Sequence, residues 1–385
     1  RLCRRFRVPR MRISNLVPFY LCGVALGGDL VAEHPLAEER WVPEARIDPG
    51  GRWLLVATQR EAASPHGIVL QELFDLESGE RVRQRRVPCG GRLGHFAGGM
   101  LYTLDLSKRP GAPCVVRVDP ATGEETRLLS GRVGGATVLA GVSVDGARVA
   151  LASRKAGRLD VFRAADGERV FSARHFRQPG DAPFDMDVTF AGPVLLYHTR
   201  PPDKSGGGDY RLRAHDLDED RELGHWGAWV SHYTPHYVVA GGTLIHGEDD
   251  YRIVARDLAA GTSRTLFTCF DELYSHWLEL TLAPKGDLVV SSSVERDPLC
   301  SYDLKENRRF EVEGGGALLG LAPEGRVAYL ADAEGLRRLD LATKMSERIV
   351  ALQKAFWDLA PGARRAVARF QDTEGRWRLR IHRVP

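Results

Sequence analysis

Lysine is scarce in this 385-residue chain: of 54 basic residues only 7 are Lys and 47 are Arg. Acidic residues number 51, so the formal net charge is only +3. The arginines are interleaved with carboxylates along the whole length. No continuous basic stripe of the kind that tracks a phosphate backbone is present, which argues against nucleic acid as a partner. Long amphipathic helical runs are missing. So are a Gly-x-Ser-x-Gly elbow, a Gly-rich phosphate loop ahead of a helix and a His-Glu-x-x-His pair. No cofactor and no metal is expected from such a chain, and catalysis is not the first expectation. Cysteine is limited to six residues, and their spacing matches no zinc signature.

Glycine, by contrast, is abundant at 41 residues, and much of it recurs in one phrase. "LTLAPKGDLVVSSS" (Leu280–Ser293) reads as a short apolar strand, a tight turn and a second apolar strand. Related phrases begin at Arg46, His95, Val142, Val188, Tyr237, Leu319 and Trp357. Their turn glycines are Gly51, Gly99, Gly146, Gly192, Gly242, Gly286, Gly325 and Gly362, set 37 to 50 residues apart. A period of this size with strand patterning marks a propeller blade. Each copy has a second half, as in "IVLQELFDLESGERV" (Ile68–Val82) and "YRIVARDLAAGTSRTL" (Tyr251–Leu266). These read as strand, Asp-containing turn, strand, because tight turns need positive φ or a side chain that bonds nearby backbone. One unit is therefore four short strands, a to d.

The first-half phrase resembles the "SPDGK" turn of WD-repeat and related propellers, and the Asp-x-x-Thr-Gly turn after strand c is similar to theirs. The resemblance covers about Trp41 to the C-terminus. It implies an all-β propeller fold. The strand c ends read "FDLESG" or "RDLAAG" where a Trp-Asp pair would stand. Eight copies imply eight blades of four antiparallel strands, with seven as the alternative if the irregular copy near Gly99 is not a blade. After Gly362 the chain has room for strands Arg365–Gln371 and Arg376–His382 but not for a fourth. An open edge there is a liability. "DLVAEH" (Asp29–His34) is expected to pair with Arg376–His382 and shut the ring.

Residues 1–12 carry six arginines, and Ile13–Gly28 is uncharged and largely apolar. This order reads as a signal peptide over 1–28, followed by one propeller domain over 29–385. It predicts a periplasmic or secreted protein, a cytoplasmic one being the alternative, with no transmembrane span in the mature chain. Processing would leave Cys89, Cys114, Cys269 and Cys300. They occupy matching places around strands d and c, which points to two inter-blade disulfides in an oxidising compartment.

The densest chemistry is "GHWGAWVSHYTPHY" (Gly224–Tyr237), with an echo in "YSHWLEL" (Tyr274–Leu280). Trp229, His232 and His236 in the first and His276 and Trp277 in the second are ligand-binding candidates, able to stack and hydrogen-bond at a channel mouth. Aromatics at blade junctions also serve as packing. Seven residues before their turn glycines stand Glu44, Asp185 and Glu279, carboxylates that would ring the channel. The function expected is a non-catalytic scaffold that recognises a protein or peptide on its loop-rich face. The alternative is an enzyme (hydrolase, lyase or oxidoreductase) with its site at the channel mouth.

Overall fold

The computed structural model describes residues 28–385 apart from 37–42, 60–67, 89–93, 106–112, 134–136, 154–156, 175–187, 200–210, 228–236, 241, 249–251, 269–277, 283–286, 293–298, 304–307, 313–315 and 363. Strands dominate. After β1 (Leu30–Pro35) come seven sheets, each made of four consecutive antiparallel strands. Blade 1 is β2–β5 (Glu44–Ile47, Trp53–Gln59, Ile68–Asp75, Arg81–Pro88). Blade 2 is β6–β9 (His95–Ala97, Met100–Asp105, Cys114–Val118, Glu125–Leu128). Blade 3 is β10–β13 (Thr137–Val142, Arg148–Ser153, Arg158–Arg163, Arg169–Arg174) and blade 4 is β14–β17 (Thr189–Ala191, Val194–Thr199, Arg211–Asp216, Arg221–Gly227). Blade 5 is β18–β21 (Tyr237–Ala240, Thr243–Gly247, Arg252–Asp257, Ser263–Thr268) and blade 6 is β22–β25 (Leu278–Leu282, Asp287–Ser292, Leu299–Asp303, Arg308–Val312). Blade 7 is β26–β29 (Ala317–Leu321, Val327–Asp332, Gly335–Asp340, Ser346–Ala351). The chain then adds β30 (Phe356–Leu359), β31 (Arg365–Gln371) and β32 (Trp377–Arg383), and β1 lies beside β32 to make a composite four-stranded sheet.

The expectation of an eight-bladed propeller is corrected by this topology to seven contiguous blades and one composite sheet. Among the described residues the complete, contiguous four-stranded blade occurs seven times. The copy around Gly362 supplies three strands and is a sheet only through β1. The irregular copy near Gly99 is one of the seven complete blades. Described residues after Gly362 form β31 and β32, and the fourth place in that sheet is taken by β1.

First strands of neighbouring sheets lie against one another, β30 on β2, β6 on β10, β10 on β14, β18 on β22, β22 on β26 and β26 on β30. Side-chain bonds join the two remaining pairs, Arg46 to His95 and Tyr237 to Thr189, so the sheets form a closed ring. The composite sheet holds by antiparallel pairing of β1 with β32, from Leu30 opposite His382 to Pro35 opposite Arg378. The Arg380–Glu33 ion pair (2.6 Å) and the bonds Arg383 N–H to Asp29 O and Leu36 N–H to Trp377 O extend it.

Both faces of a sheet are buried, because each meets a different neighbour. On β4, Val69 and Leu73 turn to blade 2 while Phe74 turns to the composite sheet. The apolar clusters accordingly sit between sheets. One, of Leu54, Val56, Phe74, Leu379 and Ile381, seals blade 1 to the composite sheet. Another, of Tyr329, Leu336, Trp357 and Ala366, seals that sheet to blade 7. Fully burying one such Leu or Phe stabilises by about 1.5–3 kcal/mol.

Turn chemistry explains the repeat. The seven described glycines of the first-half turns all have positive φ, from 60° to 81°. In the second-half turns an Asp carboxylate accepts backbone N–H groups two and three residues on: Asp75 from Glu77 (2.8 Å) and Ser78 (3.3 Å), Asp257 from Ala259 (2.9 Å) and Ala260 (2.8 Å). The fifth residue of that turn is Gly79, Gly123 or Gly261 at positive φ, but in blade 7 it is Lys344 at 61°. An L side chain pays for that conformation. Lys344→Gly is expected to raise stability by about 0.5–1 kcal/mol, after the glycine entropy cost is set against the relieved strain. Urea unfolding should show a higher midpoint at unchanged slope; an unchanged or lower midpoint would contradict this.

Candidate binding face

In this topology the connections from second to third strands and from one sheet to the next emerge on one face. They vary widely. Second-to-third connections run from two residues (333–334) to eleven (200–210), and sheet-to-sheet ones reach fourteen (175–188). On the opposite face the turns span only two to six residues, for example 98–99 and 119–124. The variable face is the one on which the ligand candidates were expected.

Of those candidates, Glu44 is exposed at the first position of β2. Glu279 lies in β22 opposite Ser291, and its side chain is outside the described residues. Trp229, His232, His236, His276, Trp277 and Asp185 also lie outside them. The described residues thus bring none of the candidates together. Cys114 is a free, fully buried thiol, and burial raises its pKa. Cys89, Cys269 and the Cys300 side chain are outside the described residues.

Three neighbours from the aromatic-rich segment are described, and they pack or pair locally. Trp226 on β17 is half-buried between blades 4 and 5. Its ring lies 5.9 Å from His246 on β19, and the Arg256 guanidinium stands 5.1 Å from it. Gly224 makes this possible, since a Cβ there would come within 2.5 Å of the indole. Tyr237 is buried and donates its hydroxyl to Thr189 Oγ1 (2.7 Å) across the blade 4–5 junction. His225 is exposed and contacts Glu222 (2.9 Å).

The polar groups along the inner strands join blade to blade. Arg46 Nη1 donates to His95 Nδ1 (2.7 Å), which leaves His95 Nε2–H to donate to the Leu139 carbonyl (3.2 Å). One link therefore ties blades 1, 2 and 3. Burial, helped by the Arg46 charge, pulls the His95 pKa down to about 3, so the ring is neutral. Arg369 on β31 donates to the Pro43 carbonyl at the entrance of β2 and to Asp358 Oδ2 (2.6 Å) on β30. Burial pushes the Asp358 pKa up, and the Arg369 charge opposes that rise. Arg256 Nε donates to His246 Nε2 (2.9 Å), and burial followed by the Arg256 charge lowers the His246 pKa to about 4. The sequence offered little sign of these roles. In the sequence His95 simply follows Gly94, and Arg369 is one of two arginines in Arg365–Gln371.

Among the described residues no group of three or more His, Cys, Asp or Glu side chains is arranged to hold a metal ion. No helix among them is long and apolar enough to cross a membrane.

The fold is that of a β-propeller, broadly related to other propeller proteins. No protein-family model matches the chain, and no curated protein does. The chain is similar in structure to BamB from Moraxella catarrhalis, with a TM-score of 0.57 and 14% identity over 92% of this chain and 99% of that one. It is also similar to the computationally designed Ika8 protein (TM-score 0.54, 12% identity, 91% and 98% covered). A chain of the mitotic checkpoint complex matches at TM-score 0.50 and 11% identity, with 98% and 99% covered. With 1097 chains matching and identities this low, the likeness shows the fold and not a particular family.

Proposed function

We propose that this propeller is a non-catalytic scaffold that recognises a protein or peptide on its variable face. The observation that carries the reading is the asymmetry of the connections. One face has uniform tight turns; the other presents connections of two to fourteen residues on a ring of packed sheets. Binding groups tend to sit on loops held by a rigid scaffold. One similar structure is a chain of the mitotic checkpoint complex, which accords with this use of the fold. The likeness to WD-repeat propellers is read as one of turn chemistry. Trp229, His232, His236, His276 and Trp277 are proposed as contact residues, together with Glu44, Asp185 and Glu279. The chain is proposed to act outside the cytoplasm, 1–28 serving as a signal peptide and 29–385 as the single mature domain.

The test is capture from a native extract with immobilised 29–385, followed by titration of the recovered partner with purified components. Replacing 200–210 and 228–236 by short turns should weaken binding at least tenfold while thermal unfolding is unchanged. Equal affinity in the replaced protein would sink the reading. The second reading, an enzyme at the channel mouth, is kept because Glu44 is exposed at the start of an inner strand. A turnover abolished by Glu44→Gln would favour it.

A further inference from the structure

His382 occupies an unusual position. It lies on β32, directly opposite Leu30 of β1, in the one sheet assembled from the two ends of the described chain. The side chain is 5% exposed, yet neither ring nitrogen has a hydrogen-bond partner. The ring of Trp357 on β30 lies 5.8 Å away at 45°, and its indole Nε1 is buried without a partner as well. Buried polar atoms left unpaired in this way call for a physical explanation. The groups facing His382 offer no acceptor for an added proton. Ala366 stands opposite it on β31, and Tyr329, in the same apolar cluster as Ala366 and Trp357, spends its hydroxyl on the Pro385 carbonyl (3.2 Å). The charged groups that act on it are Arg380, which disfavours protonation, and Glu33, which favours it. Those two are themselves paired across β1 and β32.

The cost of protonating this imidazole falls away once it reaches water. β1 is the edge strand of the composite sheet and pairs with β32 as far as Leu30 opposite His382, so its release would open that edge of the sheet to water while the other sheets keep all their strands. We propose that the β1–β32 junction is an acid-released latch: uptake of a proton by His382 detaches β1 and opens the ring at its composite sheet. Burial and then Arg380 lower the His382 pKa to about 4 in the closed form. With an ordinary value of about 6.5 in the open form, the opening equilibrium should rise about 30-fold between pH 7.5 and pH 5.

The experiment is amide hydrogen exchange at pH 7.5 and 5.0, corrected for intrinsic rates, on 29–385 and its His382→Phe variant. Peptides covering 29–36 and 377–383 should lose protection about 30-fold in the wild type, ahead of peptides from blades 2 to 4. In the variant their protection should be the same at both pH values. If the Phe variant does not fold, His382→Asn takes its place. Three results each overturn the proposal: no change in wild-type protection, a loss retained in the variant, or a loss shared equally by every sheet.

Discussion

Acidification from pH 7 to pH 5 should remove about 5 kcal/mol of folding stability, a large part of what a native protein has. Three buried histidines cause this. The His95 pKa is lowered to about 3, and those of His246 and His382 to about 4. In each case burial comes first and an arginine second: Arg46, Arg256 and Arg380 respectively. Because the folded pKa lies below the unfolded value of about 6.5, the unfolded chain binds more protons through this window. Stability is therefore intact above about pH 6.5 and falls as the pH drops towards the folded values, with a slope near pH 5 of about 3–4 kcal/mol per pH unit. Asp358 works in the opposite sense, since its raised pKa favours the folded state as the pH falls. Urea midpoints at pH 7, 6 and 5 measure the slope. Replacing His246 by Gln should remove roughly a third of it. A midpoint that stays constant from pH 7 to 5 would refute the account.

Arg369→Leu is expected to destabilise the protein by about 1–3 kcal/mol at pH 7. The guanidinium is 9% exposed and joins three elements: its own strand β31, Asp358 on β30 and the Pro43 carbonyl leading into β2. Its removal strands the Asp358 carboxylate without its countercharge and leaves the Pro43 carbonyl without a donor. The two losses differ in what repairs them. Pairing Arg369→Leu with Asp358→Leu should return part of the stability, because the half-buried carboxylate that lost its countercharge is then removed as well. Thermal unfolding of the two single variants and the double variant forms the required cycle. Strictly additive losses would show that the pair is not coupled.

The repeat was legible because turn chemistry is local. Gly51, Gly146 and Gly325 stand where the backbone needs positive φ, and Asp75 and Asp257 where a carboxylate must accept N–H groups two and three residues away. Such requirements act over five residues and leave a mark at a fixed period. The pairing of β1 with β32 was legible too, since the last copy of the repeat needs a fourth strand to cover its edge. The inner-strand polar links were not legible. Arg46 and His95 are 49 residues apart, and Arg369 and Pro43 are 326 apart. Nothing local distinguishes those arginines from the others in a chain with 47 of them. Trp226 shows the same limit, since an aromatic in an aromatic-rich segment is either packing or ligand contact until the neighbouring blade is in place.

The amino-acid order by itself determined the four-stranded unit, its turns and its near-regular recurrence, since each of these follows from short-range backbone preferences. Only the tertiary structure decided how many units are complete in themselves and which charged groups are consumed between sheets. Those outcomes depend on desolvation and on contacts between residues far apart in the chain.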